Sequence, residues 1–229
     1  VEDYIISRLQ MYLQIYFHPV SRAMEVILDH LLMRAKYIYE HPNDFEPEFT
    51  PHMLMPFFNH KFSLDDYLAL DDGVLTTYFN HWTHSRDHIL SDLARRFLYR
   101  RPFKSAIYDQ HSAACLPKLR ELIQTAGFNS DSYTAVNDSF KLPYDTYNPQ
   151  DSNPQTQIEL VQPNGEFVEL SQVSTLVASV SGREAGDQRF FFPKEMLEKH
   201  QDIEVFEPIY EQFQHYIKNN HIVNPKEEQ

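Results

Sequence analysis

After Pro19 the apolar residues Val20, Met24, Ile27, Leu31, Ala35 and Ile38 recur every three or four positions. That spacing winds onto one stripe of an α-helix and cannot line one face of a strand, whose period is two. A stripe of about five turns needs other helices or a sheet to cover it, so it sets a mainly helical fold for the first part of the chain. Before it, SRLQMYLQIYFH (7–18) reads as a separate helix, broken from the next by Pro19.

The neighbouring segments agree. PHMLMPFF (51–58) reads as a short apolar helical turn, and HPNDFEPEFTP (41–51) as a loop. SLDDYLAL (63–70) opens with Ser63 as N-cap and Asp66 three residues on, an aspartate version of the capping box. DDGVLTTYFNHW (71–82) and SRDHILSDLARRFLYRR (85–101) read as two further helices, the second with Ser85 as its cap. The pattern changes at Pro102. KSAIYD (104–109) and SYTAVNDSF (132–140) read as strands, and SAACLPKLRELIQTAG (112–127) as a helix closed by Gly127. IELVQPNGEFVEL (158–170) reads as a hairpin around Asn164-Gly165. DTYNPQDSNPQTQ (145–157) reads as a mobile Pro/Asn/Gln loop. SQVSTLVASVSG is ambiguous, with a Ser171 cap favouring helix; RFFFPKEML (189–197) reads as a strand running into a turn, and EPIYEQFQHYIKNN (207–220) as a closing helix. The expected organisation is a helical part, 1–101, followed by an α+β part, 102–229.

Charge narrows the partners. A formal net charge of −13 argues against binding a nucleic-acid polymer, which needs clustered cations, but leaves room for a small anion held by a local basic cluster. No apolar run reaches the ~20 residues of a membrane span, and no signal peptide precedes the first helix. The single cysteine, Cys115, sits in an apolar helical run and reads as core. These features point to a cytoplasmic protein, and the opening Val1, already inside a helical pattern, suggests a piece of a longer polypeptide.

The search for chemistry leaves two features. His81, His84 and His88 with Asp87 have metal-like spacing but straddle a helix break, so a solvated junction explains them better. With 5 glycines there is no phosphate-binding P-loop and no dinucleotide fingerprint, and no nucleophile elbow is present. RRFLYRRPFK (95–104) concentrates Arg95, Arg96, Arg100, Arg101 and Lys104, with Arg96 and Arg100 spaced to share a helix face. It fits either a phosphate site or a helix C-terminus stabilised by cations. On the first helix, Arg8, Tyr12 and Tyr16 lie four apart and share a stripe spanning roughly 12 Å at ~1.5 Å per residue. Spacing alone favours ordinary packing there.

RLQMYLQIYFHPVSRAMEVILDHLLMRAK, FSLDDYLALDDGVLTTYFNHW and RRFLYRRPFK, in that order, resemble the HD-domain deoxynucleoside triphosphate triphosphohydrolases, above all their bacterial branch. The resemblance covers most of residues 1–110, more weakly the rest, and RFFFPKEML also fits that branch. It implies hydrolysis of a dNTP to deoxynucleoside and triphosphate by an enzyme that assembles as a homotetramer. It further implies a divalent metal held by an H…HD…D set. That set has no counterpart here: the chain has no His-Asp dipeptide, so it resembles the C-terminal part of such an enzyme and is expected to hold no catalytic metal and to be inactive by itself. Carried over residue by residue, Arg8 matches the arginine on the substrate triphosphate. Tyr16 matches the tyrosine packed on the deoxyribose, and Tyr12 stands where the mammalian relative has a histidine, which leaves its role open. His18, Arg100 and Lys104 match residues of an allosteric nucleotide site between subunits, while Pro19 replaces a lysine used there by the mammalian relative. The alternative is a non-catalytic nucleotide-sensing or oligomerisation module.

Overall fold

The computed structural model describes residues 1–45, 49–137, 158–181, 187–198 and 207–225. In chain order, α1 (Glu2–Met11) runs into a π-helical turn (Tyr12–Tyr16), followed by α2 (Pro19–Glu40), α3 (Pro42–Phe45), α4 (Met55–Phe58), α5 (Leu64–Ala69), α6 (Asp72–Trp82) and α7 (His88–Leu98). Then come β1 (Lys104–Ile107), a 3-10 turn (Ser112–Cys115) leading into α8 (Leu116–Thr125), α9 (Ser130–Tyr133), β2 (Ala135–Asn137), β3 (Glu159–Val161) and β4 (Phe167–Glu169). The chain closes with α10 (Leu170–Val173), α11 (Thr175–Val180), β5 (Arg189–Phe192), a 3-10 turn (Lys194–Leu197), α12 (Glu207–His215), β6 (Ile217–Lys218) and β7 (His221–Ile222). The fold is mainly α with a smaller α+β part, as the periodicities predict.

Local chemistry explains most boundaries. The Ser63 capping box forms, with the Ser63 hydroxyl accepting from the Asp66 N–H and the Asp66 carboxylate from the Ser63 N–H. Gly127 (φ 93°) closes α8 in a Schellman turn, with the Phe128 N–H donating to the Ile123 carbonyl and the Gly127 N–H to Gln124. Six expectations need correction. The segment 41–51, expected as a loop, holds the short helix α3 at Pro42–Phe45. Asp87, not Ser85, caps α7, because its carboxylate accepts the Leu90 N–H at 2.7 Å. The hairpin at 162–166 is a three-residue loop with only Gly165 at positive φ (82°): Gln162 and Glu166 pair across it, and the Gly165 N–H closes a turn onto Gln162. Glu169 caps α10 and Ser174 caps α11, in place of the expected Ser171. Ser132 and Tyr133 belong to α9, capped by Asn129, so the strand starts only at Ala135; residues 138–157, with the expected loop, lie outside the described residues. Finally, α12 stops at His215 and the chain turns back through Asn219 (φ 48°) and Asn220 (φ 62°), a type I′ connection between β6 and β7.

The chain divides by packing into two units: residues 1–22 with 137–188, and residues 23–136 with 189–229. The boundary expected at 101/102 falls inside the second unit. There, α2, α6 and α7 bury Ile27, Leu31, Ala35, Trp82, Leu90 and Leu93 in one core. A second core lies between the five-stranded sheet, in the order β2-β5-β1-β7-β6, and helices α8 and α12. The run RFFF joins the two: Phe190 and Phe192 enter the sheet core and Phe191 the helical core, as side chains alternate across a strand. All three are fully buried, and a strand covered on both faces has to be apolar at every position. The first unit is smaller. Ile5 of α1 packs with Leu170 and Val177, and the buried Arg22 pairs with Asp187 at 2.7 Å while donating to the Asn137 carbonyl. Among the described residues no helix is long and apolar enough to cross a membrane.

Asp87 also holds α2 to α7. Its carboxylate takes a bidentate fork from Arg34, at 3.1 Å from Nε and 2.5 Å from Nη2. Burial pushes this carboxyl up, but the Arg34 fork and the Leu90 N–H outweigh it and hold it below the usual range. A carboxyl depressed by folding stabilises above its unfolded value of about 3.9, and the stabilisation is lost as pH falls through the folded value. Urea midpoints of the wild type are therefore expected to drop below about pH 4, and Asp87→Asn is expected to flatten that drop while lowering stability at pH 7. Parallel pH profiles for the two proteins would refute the assignment.

Candidate functional site

The predicted stripe on the first helix is present, but a π-helical turn shapes half of it. The Phe17 N–H bonds the Tyr12 carbonyl at 2.8 Å, an i→i−5 bond that widens the last turn before Pro19. Such turns are rare, and they are frequent at functional sites. Here the turn leaves the Tyr12 and Tyr16 rings in contact, with centroids 4.9 Å apart. The Arg8 guanidinium sits 5.6 Å from the Tyr12 ring centroid and makes a long 3.5 Å contact with its hydroxyl. That contact with Tyr12 is the main reason the Arg8 pKa is raised.

These three residues are therefore neighbours. With Tyr4, Ser7 and Met11 they line an open groove of about 540 Å³. Among the described residues no carboxylate lines it, in a chain of net charge −13. Tyr16 is 50 % exposed, so its ring is available rather than packed away as the spacing alone favours. Tyr4, Ser7 and Met11 escaped the sequence reading. Tyr4 carried a signal, since it extends the series 8, 12, 16 by one step toward the N-terminus. Ser7 and Met11 did not, because only the folded helix shows which side residues border the groove.

His18 is exposed and lies just past the π-turn in the first unit. Its carbonyl and Nδ1 take the Arg22 and Val20 N–H groups and so cap α2. Arg100 and Lys104 belong to the second unit. The three expected allosteric residues thus come from both units.

The basic run 95–104 splits in two. Arg96 is buried (5 % exposed) and fully engaged: Nε donates to Asp92 at 2.7 Å, and its two Nη groups donate to Glu195 at 2.8 and 3.2 Å. Arg95 donates to the Thr83 carbonyl at 2.6 Å. Arg100, Arg101 and Lys104 are exposed, and among the described residues none of them makes an ion pair. The expectation that Arg96 and Arg100 share a helix face is not met, because α7 ends at Leu98. Arg100 occupies the left-handed C′ position (φ 52°), with the Arg101 N–H bonded to the Arg96 carbonyl and the Arg100 N–H to Phe97. This is a Schellman cap with arginine where glycine is the unstrained choice. Arg100→Gly is accordingly expected to raise unfolding stability by about 0.5–1 kcal/mol, read from urea denaturation. A stability loss would show that the Arg100 side chain anchors the turn.

The described residues do not fit a metal. No group of three or more His, Cys, Asp or Glu among them is placed to hold one. His81 stacks on Phe49 with centroids 4.3 Å apart, and Asp87 is committed to Arg34 and the α7 cap.

With this geometry in hand, comparison with known proteins adds one firm point. The fold is that of a solved phosphohydrolase. A phosphohydrolase from Bacteroides thetaiotaomicron VPI-5482 superposes on 83 % of the chain with a TM-score of 0.61, at 21 % sequence identity. No family model matches the chain. The uncharacterized protein YwfO of Bacillus subtilis (strain 168) is 38 % identical over 198 residues, which is 86 % of this chain. The chain spans 45 % of the length of YwfO and 49 % of that of the phosphohydrolase.

Proposed function

We propose that this chain is the C-terminal portion of a metal-dependent dNTP triphosphohydrolase of the HD-domain type. In this reading Arg8 binds the triphosphate, Tyr16 packs on the deoxyribose, and Tyr12 backs the Arg8 guanidinium. The observation that carries the reading is the groove itself: one guanidinium and three phenols on a face with no carboxylate among the described residues, suited to an anion attached to an apolar ring. The phosphohydrolase fold of the neighbour supports it. No bond-breaking step is assigned to these residues; the divalent metal belongs, in this reading, to a part of the whole protein outside this chain. His18, Arg100 and Lys104 serve nucleotide activation between copies of a cytoplasmic homotetramer.

The test is release of triphosphate from each dNTP by the intact protein with Mg²⁺ or Mn²⁺, with and without dGTP as trial activator. Release of triphosphate and deoxynucleoside supports the reading. Binding of dNTP without hydrolysis under every condition would instead favour a nucleotide-sensing module. The exposed Arg100, Arg101 and Lys104 also suit that second reading, and Arg100→Ala or Lys104→Ala would weaken nucleotide binding in it.

A further inference from the structure

A second recess lies wholly within the second unit. It is an open cleft of about 460 Å³ between α7, the Schellman turn after α8, and α9. That volume is in the range of small-molecule sites. Its floor is the buried Arg96 network, where Asp92 Oδ2 accepts from Arg96 Nε and from the Tyr133 hydroxyl at 2.8 Å. The Arg96 guanidinium is fully engaged in that network, which stiffens the floor.

The walls hold hydrogen-bonding groups whose orientation is fixed. The Gln124 side-chain oxygen accepts from the Ser130 N–H at 3.0 Å, and the Asn129 side-chain oxygen from the Ser132 N–H at 2.9 Å. A backbone N–H can only donate, so each amide must present its oxygen inward and keep its NH₂ group for something else. Among the described residues Arg95 uses one Nη, on the Thr83 carbonyl, and keeps its remaining N–H groups. Among them too, Asp92 keeps Oδ1, since both its bonds go to Oδ2. Gly127, at positive φ, bears no side chain, and a Cβ built there meets nothing within 4 Å, so that wall stays open.

The cleft thus offers several N–H donors, from Gln124, Asn129 and Arg95, together with one carboxylate oxygen. Its charges balance once Glu195, which pairs with Arg96 but does not line the cleft, is counted: Arg95 and Arg96 against Asp92 and Glu195. A polyanion would find no net positive charge to meet it, and an apolar ligand would strand the amides. A molecule that carries both signs satisfies every group. We propose that this cleft binds a small amino-acid-like zwitterion, its carboxylate on the Gln124 and Arg95 N–H groups and its ammonium on Asp92 Oδ1.

The experiment is calorimetric titration of the intact protein with each of the twenty amino acids singly, and with inorganic phosphate and deoxyadenosine as contrasting probes. Saturable binding of at least one amino acid is expected. Gln124→Glu is expected to weaken it at least tenfold, because the new carboxylate still accepts the Ser130 N–H but replaces the donor with a negative acceptor. Arg95→Met is expected to weaken it likewise and serves as the second variant should Gln124→Glu fail to fold. Binding of no amino acid overturns the proposal, as does phosphate or deoxyadenosine binding that Gln124→Glu abolishes, or amino-acid binding that neither variant weakens.

Discussion

Under the proposed function, replacing Arg8 with alanine in the intact protein is expected to lower kcat/KM for triphosphate release by about 100-fold, with little change in folding stability. A charge-assisted hydrogen bond contributes about 1.5–3 kcal/mol, and 1.36 kcal/mol is tenfold in rate. Arg8 is exposed and its hydrogen bond to Tyr12 is long, so its removal leaves no buried group unpaired. Its fold contribution should stay within about 0.5 kcal/mol. Arg8→Lys keeps the charge and loses the planar fork, so about a tenfold loss is expected. Steady-state assays across dNTP concentrations, beside urea denaturation of each variant, decide the point. If Arg8→Ala retained wild-type kcat/KM, the groove on α1 would not be the phosphate site, even in an active enzyme.

Arg96→Ala should have the largest effect on stability. The guanidinium is buried with two carboxylates on it and lies 5.7 Å from the Phe103 ring centroid and 5.5 Å from that of Tyr133. Removing it leaves Asp92 and Glu195 facing each other without a cation, which costs about 3–5 kcal/mol for a buried pair. In a chain of this size that lowers Tm by on the order of 10 °C. Asp92 and Glu195 side chains are 38 % and 26 % exposed, so part of the penalty is relieved by water, and the lower end of the range applies. Replacing Arg96 and Glu195 together with methionine should recover part of the loss, since only Asp92, the more exposed of the two carboxylates, is then left without its cation. Arg101→Ala, only five residues on and exposed, should change Tm by no more than a degree or two. Scanning calorimetry of the four proteins makes the comparison, and equal effects at positions 96 and 101 would contradict the division of the basic run into structural and free halves.

That division shows where a linear reading stops. RRFLYRRPFK presents five cations in ten positions, and nothing local separates Arg96 from Arg100. The separation comes from Glu195, ninety-nine residues away, and from the helix ending at Leu98. The buried Arg22 was missed for the same reason: its partner Asp187 is 165 positions distant. The stripe Arg8–Tyr12–Tyr16 was legible because four-residue spacing is a local property. Its π-turn was not, since one i→i−5 bond leaves no mark on composition.

By itself the sequence determined what depends on neighbours within a few positions. The long stripe of α2, the Ser63 capping box, the Gly127 stop, and the strand around Arg189–Phe192 all follow from side-chain period and from groups within hydrogen-bond reach along the chain. Tertiary structure alone decided which charges are buried, which face of RFFF meets which core, and which residues border each cleft. Those outcomes depend on contacts between residues far apart in sequence, where burial turns an ordinary arginine into a structural ion pair at one position and leaves it free for a ligand at another.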